Sequence, residues 1–504
     1  MRPLPLVCCL AAAVASSGGA AGAQEFRPHV VLILADDLGW TDLSTGQTNN
    51  GNGSPYHQTP HLDRLAAAGT CFTDAYSNGP NCAPTRAALW SGQWAARTGV
   101  YTVGGGNRGK AEFRKLDAAD NRVVLAPETV TLAEVLQSAG YATAHFGKWH
   151  LGNENKSASP TDQGFDHQVG GNQRGGVGSM GHFAGEDGSL PLPGMTANGK
   201  AGQFVADRLT DEAIDWLSRV DGAPVFCCIS HYSVHTPIQA PAADIASTPE
   251  PDPDSRHRHR RYAAMMKNLD DNVGRVLACL EDADDPLRAG QKMLANTLIV
   301  FTSDNGGLGG YQKAGIGGGQ EITEQSPLRS GKGSLHEGGV RVPFIVRWDG
   351  RVAAGGVDAT PVQLFDLYPT LARLAADYLP PEQVQDGVDL SERWLSPDAV
   401  LEARSLFWHF PGYLQANSKQ GTWRTTPVSV VRAGDLKAMF WYETRTWALY
   451  DLASDVNEAN DLAAARPEEL RELAAQLCAW LRRTDAPMPK EKGGAPVEPP
   501  SVPE

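Results

Sequence analysis

Two strand-like apolar runs end in hard oxygen ligands. HVVLILA (29–35) stops at Asp36-Asp37, and NTLIVFT (296–302) leads through Ser303 to Asp304-Asn305. Three carboxylates and an amide brought together would suit Ca²⁺, or Mg²⁺, both of which prefer oxygen. Either pair alone is weak, because Asp and Asn also end strands simply as turn formers. Cys82-Ala83-Pro84-Thr85-Arg86 adds a thiol and a guanidinium at a helix start. Taken by itself, the cysteine could be a buried core residue beside a helix-starting proline. Lys148 and Lys332 are flanked by Gly147, Gly331 and Gly333, which suggests tight turns that present each side chain rather than leave it on a solvated face.

The elements that must position these groups alternate. Strand-like runs at 29–35, 141–146, 224–230 and 296–302 are separated by helical patterns at 59–68, 84–90, 129–139, 203–220 and 262–281. Such alternation implies an α/β fold: a large, mainly parallel (mixed) sheet sandwiched by helices over residues 24–400. From about residue 401 to 486, turn-separated strands (428–431, 437–442) and a closing helix (467–483) predict a smaller α+β domain with an antiparallel sheet. The Pro-rich, charged tail 487–504 is expected to be disordered. Glycine-rich stretches at 170–202 and 306–319 read as surface loops, where binding residues usually sit.

The 504 residues carry a net charge of −14, which argues against a nucleic-acid partner. Arg2, an apolar run from Leu4 to Val14 and Ala21-Gly22-Ala23 read as a signal peptide over residues 1–23, so the chain is expected to be exported, periplasmic or secreted. No later run has the length of a membrane helix, and no stable membrane association is expected. Six cysteines follow Gln24, too few for a disulfide scaffold, and their pairing stays open. Cys227 and Cys228 read as inert core residues. His57, His61 and His182 read as capping or surface residues, and RHRHRR (256–261) as a solvated face.

Cys82-x-Pro84-x-Arg86, continuing to Gly92, resembles the signature of the formylglycine-dependent sulfatases, the type I, arylsulfatase-like members of the alkaline-phosphatase-like superfamily. Gly140–Gly152 resembles their second signature, and Thr59–Ala66, His235-Thr236-Pro237 and Gly331–Gly339 look like family segments in family order. The resemblance implies that a formylglycine-generating enzyme converts Cys82 to formylglycine. It further implies that Asp36, Asp37, Asp304 and Asn305, with the modified Cys82, hold one Ca²⁺, Mg²⁺ being the alternative. Arg86 would orient the hydrated aldehyde, while Lys148 and Lys332 would bind the sulfate oxygens. His235 would protonate the leaving alcohol, and His150 would take the proton from the second hydroxyl. The substrate expected is a sulfated carbohydrate or small molecule. A phosphate-ester or phosphonate hydrolase of the same superfamily, and a non-catalytic carbohydrate-binding protein on this scaffold, are the alternatives. The former usually has Thr or Ser where Cys82 stands. The latter should have lost some of these residues, and every mapped position is filled.

Overall fold

Strand β1 (His29–Ala35) is buried at every position, as a strand covered on both faces must be. The computed structural model describes residues 27–181, 192–195, 202–311, 321–414 and 422–503. The signal-peptide expectation, His182 and parts of both glycine-rich stretches lie outside them. With β2 (Thr70–Phe72), β3 (Ala142–Gly147), β4 (His167–Val169), β5 (Val225–Ser230), β6 (Thr297–Ser303), β7 (Phe344–Arg347) and β8 (Gly356–Asp358), β1 forms an eight-stranded sheet in the order β8-β2-β7-β6-β1-β5-β3-β4. Only β7 runs against the others, so the sheet is mixed with a parallel centre.

Side chains alternate across the sheet. Val31, Ile33 and Cys227 face one core with helices α1 (Pro60–Ala67), α4 (Val205–Leu217) and α5 (Arg260–Asp282). Val30, Leu32 and Cys228 face the other with α2 (Cys82–Ser91), α3 (Leu132–Ser138) and α6 (Leu367–Ala376). Adjacent in sequence, Cys227 and Cys228 therefore point into opposite cores, and all six cysteines of the described residues are free. Among those residues, no helix is long and apolar enough to cross a membrane.

A separate four-stranded antiparallel sheet, β9 (Ser405–Phe410), β10 (Val428–Ala433), β11 (Leu436–Trp441) and β12 (Thr446–Asp451), carries helix α7 (Pro467–Arg483) on one face.

Three sequence expectations are corrected. The tail is not disordered: Lys490–Glu491 pairs with Leu116–Asp117, Val497 is buried, and Cys478 donates to Pro500 O at 2.7 Å. Proline and charge leave few apolar anchors here, but strand pairing and two or three side chains suffice. RHRHRR is not a solvated face, because Arg256 donates to Ser326 O (2.6 Å) and Gly53 O (2.9 Å), and His257 is buried against Glu324 O at 2.9 Å. His57 is likewise buried, its Nδ1 2.8 Å from Asp42 O and its ring against those of His257 and Tyr262.

Candidate active site

The carboxyl edge of the sheet gathers the residues singled out from sequence, as expected for an open α/β sheet. Asp36 and Asp37 follow β1, Lys148 and His150 follow β3, His235 follows β5, and Asp304 and Asn305 follow β6. Helix α2 brings Cys82 as its first residue and Arg86 one turn later. The helix starts two residues before Pro84, since the first N–H groups of a helix have no intrahelical partner and proline costs nothing there. Gly147 (φ 106°) and Gly333 (φ 89°) occupy left-handed backbone beside Lys148 and Lys332, in agreement with the expected turns. A Cβ on Gly147 would lie 2.0 Å from Ser230 O, so a side chain there would push β3 and β5 apart. Asp37 (φ 63°) and His150 (φ 69°) also adopt this conformation, which is costly for residues with a Cβ and recurs at functional sites.

Each carboxylate faces a cation. Lys148 Nζ is 2.6 Å from Asp36 Oδ2, Lys332 Nζ 2.7 Å from the Asp37 carboxylate, and Arg86 Nε 2.8 Å from Asp304 Oδ2. Arg86 Nη1 donates to Lys148 O and to Ser230 Oγ, both at 2.6 Å, so its fork clamps Asp304 and the turn that carries Lys148. Cys82 Sγ lies within this set, 3.4 Å from Asp36 Oδ1 and 4.0 Å from Asp37 Oδ1.

Burial, with Asp304 and Asp37 nearby, pushes Asp36 up to about 8 against the pull of Lys148 and Arg86. Burial opposes ionisation of Asp37 too, but Lys332, His235 and Lys148 outweigh it and hold that carboxyl low. Burial and the surrounding carboxylates push the Cys82 thiol well up, so as a cysteine it is a poor thiolate. Burial and Lys332 lower His235 to about 4, and burial with Lys148 and Arg86 lowers His150.

The donor set fits a hard cation. Asn305 Oδ1 is buried without a hydrogen-bond partner among the described residues, while its Nδ2 donates to Asp37 Oδ1 at 2.9 Å. Crowded carboxylates, one of them pushed towards its neutral form, lack positive charge that a divalent ion bound through oxygen would supply. A second cluster, His61, Asp270 and Asp271, has another use. Asp270 accepts the backbone N–H of His61 (3.0 Å) and Leu62 (2.8 Å), capping α1 from α5.

Cys82, His150, His235 and Lys332 open onto a cavity of about 490 Å³ walled by Val103, Leu308, Tyr311, Ile322 and Leu414. Arg108 lines it as well. Sequence reasoning missed Arg108, although it stands in Gly104-Gly105-Gly106-Asn107-Arg108-Gly109, glycine-flanked like the two lysines. Arg424 was also missed, and nothing local marks it. It reaches from the segment before β10 to donate to Lys332 O (2.9 Å), Gly310 O (2.7 Å) and Gly309 O (2.6 Å), fixing the Lys332 turn.

Residues 28–378 match the family described as Sulfatase, and residues 331–486 the one described as N-sulphoglucosamine sulphohydrolase, C-terminal. The chain is 34% identical to a protein named Sulfatase from Formosa agariphila, over 92% of this chain and 90% of that protein. It is 29% identical to the N-acetylgalactosamine-6-sulfatase of Sus scrofa, over 85% of this chain and 74% of the relative. The solved structure of Ps i-CgsB in complex with k-i-k-neocarrahexaose aligns with a TM-score of 0.70 at 26% identity, over 90% of this chain and 92% of that one. A family match across most of the large sheet, ending in a cleft of paired carboxylates and cations, places this chain in the sulfatase family as a sulfuric ester hydrolase.

Proposed function

We propose that the protein hydrolyses sulfate esters of carbohydrates with Cys82 matured to formylglycine and one bound Ca²⁺, Mg²⁺ being the alternative ion. The observation that carries this reading is the position of Cys82: first residue of α2, between Asp36 and Asp37, at the floor of a cavity shared with His150, His235 and Lys332. When present, the hydrated aldehyde supplies two hydroxyls on one carbon, one to attack sulfur and one to expel sulfate, while the cation stabilises the negative charge on oxygen. Asp36, Asp37, Asp304 and Asn305, with residue 82, hold that cation.

Lys148 and Lys332, both buried, offer fixed positive charge to the sulfate oxygens at the inner end of the cavity, where little water competes for it. Arg86 keeps Asp304 and the Lys148 turn in register. Burial and Lys332 keep the His235 ring neutral in the free protein; the negative charge of the bound sulfate favours the imidazolium, which gives its Nε2 proton to the departing alcohol oxygen. Its Nδ1 lies 2.7 Å from Thr236 O, which fixes the ring and leaves Nε2, 3.6 Å from Asp37, facing the site. His150 takes a proton from the second hydroxyl. Its Nδ1 has no hydrogen-bond partner among the described residues, and burial, with Lys148, Arg86 and Lys332, keeps the ring neutral and so able to accept.

A carbohydrate suits the cavity because Tyr311 and its aliphatic neighbours offer flat apolar surface to a sugar ring. The N-acetylgalactosamine-6-sulfatase likeness points the same way. In this reading the chain is exported after loss of residues 1–23 and meets a formylglycine-generating enzyme during maturation.

Peptide mass spectrometry of active protein, with elemental analysis, tests the proposal. The Cys82 peptide should carry a carbonyl in place of the thiol, and about one equivalent of Ca²⁺ should be bound and removable by chelator with loss of activity. Full turnover by protein whose Cys82 is an intact thiol would overturn it.

A further inference from the structure

We infer that Arg108 recognises a second anionic group, a carboxylate or a further sulfate, on the sugar whose sulfate ester is cleaved. The inference rests on the proposed sulfatase reading and names the substrate class of that same site.

Arg108 lines the cavity with Cys82, His150, His235 and Lys332. Its guanidinium is part-buried and donates to Val103 O, and among the described residues it meets no carboxylate. The more deeply buried arginines have their donors met within the protein. Arg86 meets Asp304, Arg341 meets Asp74 and Glu337, and Arg432 meets Asp74. Arg424 spends its donors on three carbonyls with Tyr311 stacked at 4.3 Å. Arg108 is half withdrawn from water and uses one donor on Val103 O, so its remaining donors can turn to an anion that enters the cavity. Burial lowers the Arg108 pKa, the mark of a cation short of counter-charge.

The position is built rather than loose. Arg114 Nη1 donates to the carbonyls of Asn107 (3.3 Å), Arg108 (3.1 Å) and Gly109 (2.9 Å). Asn107 Oδ1 accepts Ala118 N at 2.7 Å, and Gly106 O accepts Tyr413 N at 2.9 Å. Asn121 Nδ2 ties down Thr102 O (2.9 Å) and Gly104 O (2.6 Å). The inner cations are already committed, Lys148 and Lys332 to the sulfate that is cleaved and Arg86 to Asp304, so a second anion needs a cation farther out. With a net charge of −14, the protein does not attract polyanions as a whole, so a doubly charged substrate needs this local cation. A cavity of about 490 Å³ admits a small saccharide, which places the second anion on the same sugar or the next one.

The test uses the matured enzyme and three sugars that share one 6-sulfate ester. One is N-acetylgalactosamine 6-sulfate, one a disaccharide that adds a neighbouring uronate, and one a 4,6-disulfated N-acetylgalactosamine. Wild type should prefer at least one doubly charged sugar in kcat/KM by about tenfold or more, mainly through KM, and the arm that wins tells carboxylate from sulfate. Arg108→Ala should bring that ratio close to one, and Arg108→Lys should restore part of it, since a point charge replaces a bidentate fork. Calorimetric binding of the same sugars to Cys82→Ala, with and without Arg108→Ala, reads the same selectivity without turnover. No preference in wild type, or a preference that survives Arg108→Ala in both assays, overturns the inference. Absence of sulfate release from every sugar and from an activated aryl sulfate, with the binding preference intact and lost on Arg108→Ala, would instead sink the proposed hydrolysis mechanism and leave this inference standing.

Discussion

The molecule buries two clusters of opposed charge that look alike on paper. In one, Asp36, Asp37 and Asp304 face Lys148, Lys332 and Arg86. In the other, Asp74, Glu337 and Glu458 face Arg341, Arg432 and Lys437, with Tyr76 Oη donating to Glu337 at 2.7 Å. The second cluster ties the small sheet to the segment that follows β2, since Asp74 and Tyr76 lie just after that strand while Arg432 and Lys437 lie on strands β10 and β11. Charge balance therefore does not mark a site. The first cluster differs because it opens onto a cavity, surrounds Cys82, leaves Asn305 Oδ1 without a partner and pushes Asp36 up to about 8. In the second, Lys437 bridges Glu337 (2.8 Å) and Glu458 (3.0 Å), and Glu458 is held down at about 2. One cluster has charge to spare for a ligand; the other spends its charge on itself.

The largest expected effect breaks the first cluster chemically. Cys82→Ala should reduce sulfate release by about 10⁴-fold or more, because no neighbouring side chain can replace the nucleophile. Its thermal midpoint should stay near wild type, since Cys82 contributes little packing beyond its small side chain. A variant that unfolds early would instead make Cys82 a core residue.

The next effect separates two residues of that cluster. If His235 protonates the leaving oxygen, His235→Ala should cost about 10²–10⁴-fold on a sugar sulfate and far less on an activated aryl sulfate, which departs without help. His150→Ala should lose similar activity on both esters, because its proton does not go to the leaving group. Equal losses on both esters for His235→Ala would reject its role as the acid.

These contrasts show what the sequence could disclose. Strand β1 and helix α7 stand where periodicity placed them, because each meets its surroundings along a regular apolar face. That the candidate residues would meet at one sheet edge was legible because family segments carry them, and because strand ends and glycine-flanked lysines have local signatures. The second cluster left no such trace. Asp74 and Arg432 are 358 residues apart and Glu337 and Lys437 100 apart, and nothing in the residues around Glu458 or Arg432 announces a buried ion pair. Arg108 was readable by the glycine rule applied to Lys148 and Lys332. The tail was misread because its composition lacks apolar periodicity, while its order comes from pairing with Leu116–Asp117.

A smaller effect, on folding rather than catalysis, should come from the second cluster. Lys437→Met removes the cation shared by Glu337 and Glu458 and leaves two buried carboxylates short of charge. Breaking one partner of a buried pair typically costs about 3–5 kcal/mol, so the urea midpoint should fall clearly. Sulfate release per folded molecule should remain close to wild type. If activity falls while the midpoint holds, the two clusters are not separable in the way their geometry implies.

The smallest effect follows from the acid behaviour of Glu458. Burial opposes its ionisation, but Lys437 and His336, with the backbone N–H of Glu337 at 2.8 Å, outweigh that and hold the carboxyl at about 2 against 4.5 when free. The folded protein therefore binds fewer protons here than the unfolded chain does. The stabilisation is fully present above about pH 4.5 and is lost as pH falls through about 2, amounting to about 3 kcal/mol at most. Glu458→Gln removes this titration, so the variant should be less stable than wild type at pH 7 and lose less on acidification between those limits. Urea midpoints measured from pH 6 down to pH 3 should converge for the two proteins. Parallel curves would mean that Glu458 is no better stabilised in the folded protein than in the unfolded chain, and the closed cluster would then owe its order to packing between the sheets rather than to charge.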